Sequence, residues 1–269
     1  MINDLAKLAG VVILAGGASR RMGTPKAELA LPNNERLLDY HVRQALELQV
    51  PIMIADNGRG FTLDANLMNN NPSALVSHIK DYQSSNDQNS KDQVSGYQKY
   101  GTDNGKVDGN DDSDVKTGGA LVAIESALQT LIKPTPSLLS PVVTPSWLLV
   151  ISCDSLIPAP RLWQKLSATI DKIADTVTDN KVICLSDAQH LYPLLGLYHL
   201  SVEPELNAYL DSGARKVMSF ITPMTQALII EPEWQRLTNF NTPSDFKRAC
   251  TAWTDLQLGT NNSIKEDHH

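Results

Sequence analysis

Gly10 to Leu29 reads GVVILAGGASRRMGTPKAEL, and the architecture of the chain follows from its first half. Val11 to Ala15 is an apolar run with no polar face, the pattern of a strand buried on both sides in a parallel sheet. It breaks at Gly16 and Gly17, where the backbone is free to turn sharply and lie close to a ligand. Arg20, Arg21 and Lys26 follow, with Gly23 among them. A buried strand emptying into a glycine-rich cationic loop suits a polyphosphate: backbone N–H groups meet its oxygens and side chains neutralise its charge. Arg20 and Arg21 are adjacent, so at most one faces such a ligand. The loop is not a P-loop, because no glycine lies five residues before a Gly-Lys-Ser/Thr, and G-x-G-x-x-G is absent. Ser19 lacks the second glycine of a nucleophile elbow and has no His/Asp partner, so covalent catalysis is not indicated.

Downstream, Glu35 to Leu48 places Leu37, Leu38, Val42, Ala45 and Leu46 at helical spacing. Pro51 to Ala55 is a second apolar strand, ending at the turn Asp56–Arg59, and Ala74 to Ile79 is a third. Strand, helix, strand at this spacing predicts a βαβ unit with a parallel sheet. From about Asp81 to Lys116 the pattern stops, with eight Asp against four Lys and almost no aliphatic residues. Such a segment cannot offset its ordering entropy by burial, which predicts a disordered insertion at 83–117. Asp108, Asn110, Asp112 and Asp114 suggest a calcium loop, but Ser113 and Gly119 break the EF-hand template. Beyond it the periodicity predicts helices over Ala120–Leu131, Pro160–Ala174, Val202–Leu210, Lys216–Ile221 and Pro243–Thr254. Strands are predicted over Trp147–Ile151, Lys181–Leu185, Leu191–Tyr198 and Ala227–Ile230. The expectation is α/β: a Rossmann-like three-layer α/β/α sandwich with a mainly parallel sheet, one domain over 1–258 and a flexible tail at 259–269.

The chain has 269 residues, 42% of them hydrophobic, and a net charge of −7. That balance argues against general nucleic-acid affinity while permitting a local cationic pocket. Cys153, Cys184 and Cys250 form no CxxC pair and read as buried thiols of a reducing compartment. One lysine before a very short apolar run does not make a signal peptide, and no window approaches a membrane span. A cytoplasmic monomer without membrane or nucleic-acid partners is the expectation.

In open α/β sheets ligands bind beyond the carboxyl ends of the strands. The Gly16–Lys26 loop, the Asp56–Arg59 turn and Asp154 fall there. A carboxylate facing a phosphate loop is placed to hold Mg²⁺, the alternative being that Asp154 caps the next helix. Asn241 or Thr242 reads as the cap of the last helix, with Pro243 in its first turn, and an amide at that point can also face the site. Gly213 to Lys216 is either a helix-to-helix turn or a second basic patch for an anionic co-substrate.

Taken together these pieces resemble the molybdenum cofactor guanylyltransferase family, of the nucleotide-diphospho-sugar transferase fold. LAGGASRRMGTPKAEL is similar to that family's LAGGxSxRMGxxK, TGGALVAI to its GPLAGI segment, ISCDSLIP to its CD-[ST]-P segment and YPLLGLY to its P-x-x-GLY strand. GARKVMSFI and NFNTPSDF resemble its late basic turn and its closing N-x-NTP-x-[DE] motif. The motifs occur in the family's order from Ile13 to Phe246. The resemblance implies transfer of GMP from GTP to the phosphate of molybdopterin, with Mg²⁺ as cofactor and transient contacts with cofactor-biosynthesis proteins and molybdoenzyme chaperones.

It implies that Lys26, Arg21 and Asp154 are catalytic, Asp154 holding the metal. Leu14, Ala15, Gly16, Gly17, Lys26, Asn57, Asp81 and Gly119 would bind the nucleotide. Arg215, Lys216, Asn239 and Asn241 would face molybdopterin. Asp81 and Asp114 both qualify for the family's guanine-recognising aspartate, with Asp81 preferred. The GPLAGI position departs from the pattern, and Ala123 in place of its second glycine is expected to tighten or shift the pocket. A cytidylyltransferase, a sugar-1-phosphate enzyme and a weakly active cofactor-binding homologue are the alternatives.

Overall fold

A computed structural model of the chain describes residues 5–17, 19, 21–83, 119–132, 146–174 and 180–266. The expected insertion at 83–117 lies, apart from Gln83, outside the described residues, as do Arg20 and Asp114.

Seven strands form one sheet in the order β3-β2-β1-β4-β6-β5-β7. They are β1 (Leu8–Leu14), β2 (Ile52–Ala55), β3 (Val76–His78), β4 (Trp147–Ser152), β5 (Val182–Ser186), β6 (Leu191–His199) and β7 (Thr225–Ile229). The first four pair in parallel, as does β5 with β7. β6 is antiparallel to both β4 and β5. The cause is local: the link from β5 to β6 is the turn Asp187–His190, in which the Asp187 carboxylate accepts from the N–H groups of Gln189 and His190. So short a link joins only antiparallel strands. Gly196 on β6 meets a close neighbour strand, since a Cβ there would lie 2.7 Å from the Ile183 carbonyl oxygen.

The helices are α1 (Leu37–Leu46), α2 (Ala65–Asn69), α3 (Ala120–Ile132), α4 (Ala159–Ser167), α5 (Ile170–Ala174), α6 (Glu203–Asp211), α7 (Val217–Ile221), α8 (Pro232–Gln235) and α9 (Pro243–Glu266). Alternation along β1 sends Val11 and Ile13 into one core, with Tyr40, Leu162, Phe240 and Cys250. Val12 goes into the other, with Leu121, Ile124, Leu206 and Phe220. The three-layer sandwich is therefore as expected. Each such buried aliphatic contributes about 1.5–3 kcal/mol of apolar transfer. The three cysteines are buried and unpaired.

Four details depart from the sequence reading. The helix expected over Pro160–Ala174 is interrupted between α4 and α5. The short helices α2 and α8 had no periodicity long enough to reveal them; Asp64 caps α2 by accepting from the N–H groups of Asn66 and Leu67. The last helix continues past Thr254 to Glu266. β6 runs against its neighbours. Among the described residues, no helix is long and apolar enough to cross a membrane.

Register brings the site elements together. Leu14 pairs with Ala55 on one side and with Ser152 on the other, so β1, β2 and β4 end level. Their continuations, Ala15–Gly17, Asp56–Asn57 and Cys153–Asp154, leave the sheet side by side.

Candidate active site

The first loop is anchored before it turns. The Ala15 N–H donates to the Ala55 carbonyl at 2.9 Å, and the Leu14 carbonyl accepts from the Cys153 N–H at 3.1 Å. Gly16 then passes against the next turn: a Cβ there would lie 2.9 Å from the Cβ of Asn57 and 3.1 Å from its backbone nitrogen. Only glycine permits that approach. Gly17 is exposed, with open space where a Cβ would project. Arg21 is also exposed.

Ser19 closes the loop, with φ at +48°. Its hydroxyl donates to the Gly17 carbonyl at 3.3 Å and accepts from the Lys26 N–H at 3.2 Å. Lys26 starts a 3-10 turn, Lys26–Glu28, which carries its side chain back over the ends of the strands. Its Nζ donates to Asn241 Oδ1 at 3.0 Å and lies 3.5 Å from Asp154 Oδ2 and 5.8 Å from the centre of the Phe240 ring. The Asn241 bond is a full-strength one, whereas 3.5 Å is long for a charge-assisted bond, which favours 2.7–2.9 Å. The lysine is therefore oriented by the amide and only loosely held by the carboxylate. With Lys26 and Asp154 side chains 16% and 28% exposed, solvent screens the pair only in part.

Asp154 does not cap a helix, since α4 begins at Ala159 with Pro158 as its N-cap. Among the described residues no group of three His, Cys, Asp or Glu side chains could hold a metal ion. A single partly exposed carboxylate fits Mg²⁺, which is commonly held by one or two carboxylates together with substrate phosphates.

Asn241 also reaches Asn239, donating to its side-chain oxygen at 3.0 Å. Asn239 has a φ of +58°. Thr242 and Asp245 form a reciprocal cap on α9: the Asp245 N–H donates to Thr242 Oγ1 at 3.2 Å and the Thr242 N–H to Asp245 Oδ2 at 3.0 Å. Both sequence readings of this segment thus coexist, with Thr242 capping and Asn241 facing Lys26.

Around the second strand, Asn57 is exposed with φ at +55°. The buried Asp56 accepts from the N–H groups of Gly58 and Phe61 and meets His78 Nδ1 at 2.9 Å. Asp81 lies near enough that burial, and after it the charge of Asp56, push its carboxyl above the usual range. The Tyr82 hydroxyl donates to Asp211 at 2.8 Å, tying this segment to α6. Gly119 is exposed, and its carbonyl accepts from the Val122 N–H at the start of α3.

One expectation changes, and for another the helix-closing alternative is seen. Ala123 is 7% exposed and packs in the core between α3 and the sheet, so its methyl is absorbed there rather than narrowing a pocket. Arg215 donates to the Leu210 and Ala214 carbonyls at 2.6 and 2.8 Å, closing the end of α6. Phe220 and Ile221, just after Lys216, belong to the core on one face of the sheet, and Phe240 to the core on the other. Arg215 and Lys216 are therefore in a different layer from Asn239 and Asn241, because α6 and α7 pack across the sheet from α9. Ser19 and Phe240 went unread as parts of the site, the first because it was judged only as a nucleophile. Its position between two glycines and a lysine was the available signal.

Residues 11–77 match the family described as MobA-like NTP transferase domain. The chain is 30% identical over 101 residues to a molybdenum cofactor guanylyltransferase of Vibrio vulnificus, covering 37% of this chain and 48% of that one. It is 28% identical over 120 residues to the enzyme of the same name from Serratia proteamaculans, covering 43% and 53%. The chain thus spans about half the length of these curated relatives. A molybdopterin-guanine dinucleotide biosynthesis protein A from Archaeoglobus fulgidus shares the fold, with a TM-score of 0.55, 18% identity and coverage of 91% and 99%. So does a 4-diphosphocytidyl-2C-methyl-D-erythritol synthase from Anaerococcus prevotii, with a TM-score of 0.50, 9% identity and coverage of 93% and 99%. The fold is of the nucleotide-diphospho-sugar transferase type, and the family resemblance read from the motifs is borne out.

Proposed function

We propose that this protein is a nucleotidyltransferase that moves GMP from GTP to the terminal phosphate of molybdopterin, releasing pyrophosphate. The observation that carries the reading is the placement of Lys26 Nζ, oriented by Asn241 at 3.0 Å beside Asp154 at 3.5 Å, over the mouth of a glycine loop. An oxygen of the acceptor phosphate attacks the α-phosphorus and forms a new P–O–P bond. The bond from that phosphorus to the oxygen bridging it to the β-phosphate breaks, and pyrophosphate carries away the electron pair. Such a transfer needs alignment and charge neutralisation more than a general acid or base. Backbone N–H groups of Gly16 and Gly17 and the Lys26 ammonium supply donors to the triphosphate, with Arg21 at the loop's outer edge. Asp154 is the residue that would hold Mg²⁺, which when bound neutralises phosphate charge. Asn57 and Asp81 stand at the nucleoside end, and Gly119 opens α3, a helix that returns the chain from β3 to β4 and so begins at the site end of the sheet.

The test is pyrophosphate release by purified protein with molybdopterin, Mg²⁺ and either GTP or CTP. Release with GTP well above that with CTP is the expected result. Preference for CTP overturns the guanine assignment, and no release with either overturns the transfer itself.

A further inference from the structure

Asp81 lies on a short stretch that is tied to two helices at once. The Ile79 N–H donates to the Ile54 carbonyl at 2.9 Å, which fixes where the chain leaves β3. Just before Asp81, the Lys80 carbonyl accepts from the Ser126 hydroxyl of α3. Just after it, the Tyr82 hydroxyl donates to Asp211 Oδ1 at 2.8 Å and accepts from Asn207 Nδ2 at 3.1 Å, both on α6. The side chains of Ile79 and Tyr82 pack against the core beneath. Asp81 is therefore strung between a tie to α3 and a tie to α6, and its place depends on how those helices stand to each other.

The joint between the helices is a carboxyl group. Glu125 of α3 is fully buried, and its Oε1 accepts from Asn207 Nδ2 at 3.1 Å and from Gln129 Nε2 at 2.9 Å. Asn207 thus divides the two N–H donors of one amide between Glu125 and Tyr82. Glu125 Oε2 has no hydrogen-bond partner, a state that suits a neutral carboxyl and penalises a carboxylate. Burial first, with the charge of Glu203 adding to it, pushes this carboxyl up to about 7 against the opposing donors of Asn207 and Gln129. The ionisable groups facing it across the joint are Glu203 and Asp211 of α6 and the Tyr82 phenol. β1, β4 and the 3-10 turn Leu200–Val202, which also pack on α3, carry no ionisable side chain. Once ionised, Glu125 sets a carboxylate against that of Glu203, which presses α6 away from α3 and draws the two ties on Asp81 apart.

We propose that Tyr82, Asn207 and Glu125 are positioning residues for the nucleoside end of the site: they hold α3 and α6 together around Asp81, and ionisation of Glu125 loosens that hold. The proposal rests on the nucleotidyl-transfer reading above, in which Asp81 stands at the nucleoside. It requires the effect to fall on the nucleoside part of the nucleotide alone. α3 and α6 pack on the opposite face of the sheet from Phe240 and Cys250, so the Lys26–Asn241 contact is not theirs to move.

GTP with Mg²⁺ and, separately, inorganic triphosphate with Mg²⁺ are titrated calorimetrically into the full chain, with a thermal melt to verify that each variant is folded. Tyr82→Phe keeps the ring in the core and removes the hydroxyl. It is expected to weaken GTP binding roughly fivefold, the usual worth of one hydrogen bond, and to leave triphosphate binding within about twofold of the parent. Glu125→Gln stands for the neutral carboxyl and cannot ionise. Between about pH 6 and about pH 8.5 the parent is expected to lose GTP affinity relative to Glu125→Gln by a similar factor, the ratio cancelling the titration of GTP itself. GTP binding by Tyr82→Phe that matches the parent overturns the proposal, as does an equal loss of triphosphate binding. A constant ratio of parent to Glu125→Gln across that range does so too. Those results leave the transferase reading standing. If the parent binds neither GTP nor triphosphate, the nucleotide reading falls and the positioning role falls with it.

Discussion

Lys26 concentrates the chemistry of the site in one side chain. Its ammonium is aimed by one amide, flanked by one carboxylate and backed by an aromatic face. Lys26→Ala removes the only side-chain cation seated inside the crevice among the described residues and leaves Asp154 unpaired. Turnover is expected to fall by about 10²–10³, the usual cost of deleting one transition-state charge stabiliser. The unfolding midpoint should move little, because a partly exposed pair held at 3.5 Å adds at most about 1 kcal/mol. Steady-state rates beside a thermal melt separate the two effects, and activity within tenfold of the parent would remove Lys26 from the chemistry. Ser19 acts differently: it touches only backbone and serves to hold the loop's shape.

At the scale of elements, the two glycines of the first loop are not equivalent. Gly16→Ala would press a methyl onto the Asp56–Asn57 turn, a contact of 2.9–3.1 Å made mostly with backbone that cannot swing aside. A destabilisation of about 1–3 kcal/mol is expected, with weaker binding of the nucleotide that the proposed function assigns to this loop. Gly17→Ala meets nothing within 4 Å and should fold like the parent, so a melt of both variants checks the contrast. The apolar runs at Val11, Ile52 and Trp147 made the parallel half of the sheet legible, because only fully buried strands carry such patterns. The orientation of β6 was less so, although the four residues between Ser186 and Leu191 are too few for anything but a hairpin. Lys26, Asp154 and Asn241 were each legible as candidates. Their mutual contact was not, since no local signal reports a meeting of segments far apart in sequence. Arg215 stayed open to two readings, because in sequence a basic residue after a helix looks the same whether it binds a ligand or caps the helix.

For the molecule as a whole, His41 ties stability to pH. It lies fully buried in α1, edge-on to Tyr40, and burial lowers its pKa from 6.5 to about 4, with the Ser155 backbone offsetting only part. The folded chain therefore keeps the ring neutral while the unfolded chain takes up a proton near pH 6.5. The protection conferred by a neutral ring is complete above that value. It is lost as pH falls toward 4, by up to about 3 kcal/mol. His41→Leu, apolar and of similar size, should flatten this slope. Urea unfolding at about pH 7.5 and about pH 5 checks it, and parallel losses in both proteins would acquit His41. The fold has one further consequence for how the protein comes into being. Lys26 meets Asn241 across 215 residues of sequence and Asp154 across 128. A ribosome that has released the first loop has yet to make the amide that aims its lysine, which comes only in the turn before the last helix. A chain made only through β6 holds six of the seven strands and still lacks the amide that aims Lys26. On the proposed function, the grip is therefore assembled only once the chain has been made as far as Asn241, just ahead of α9.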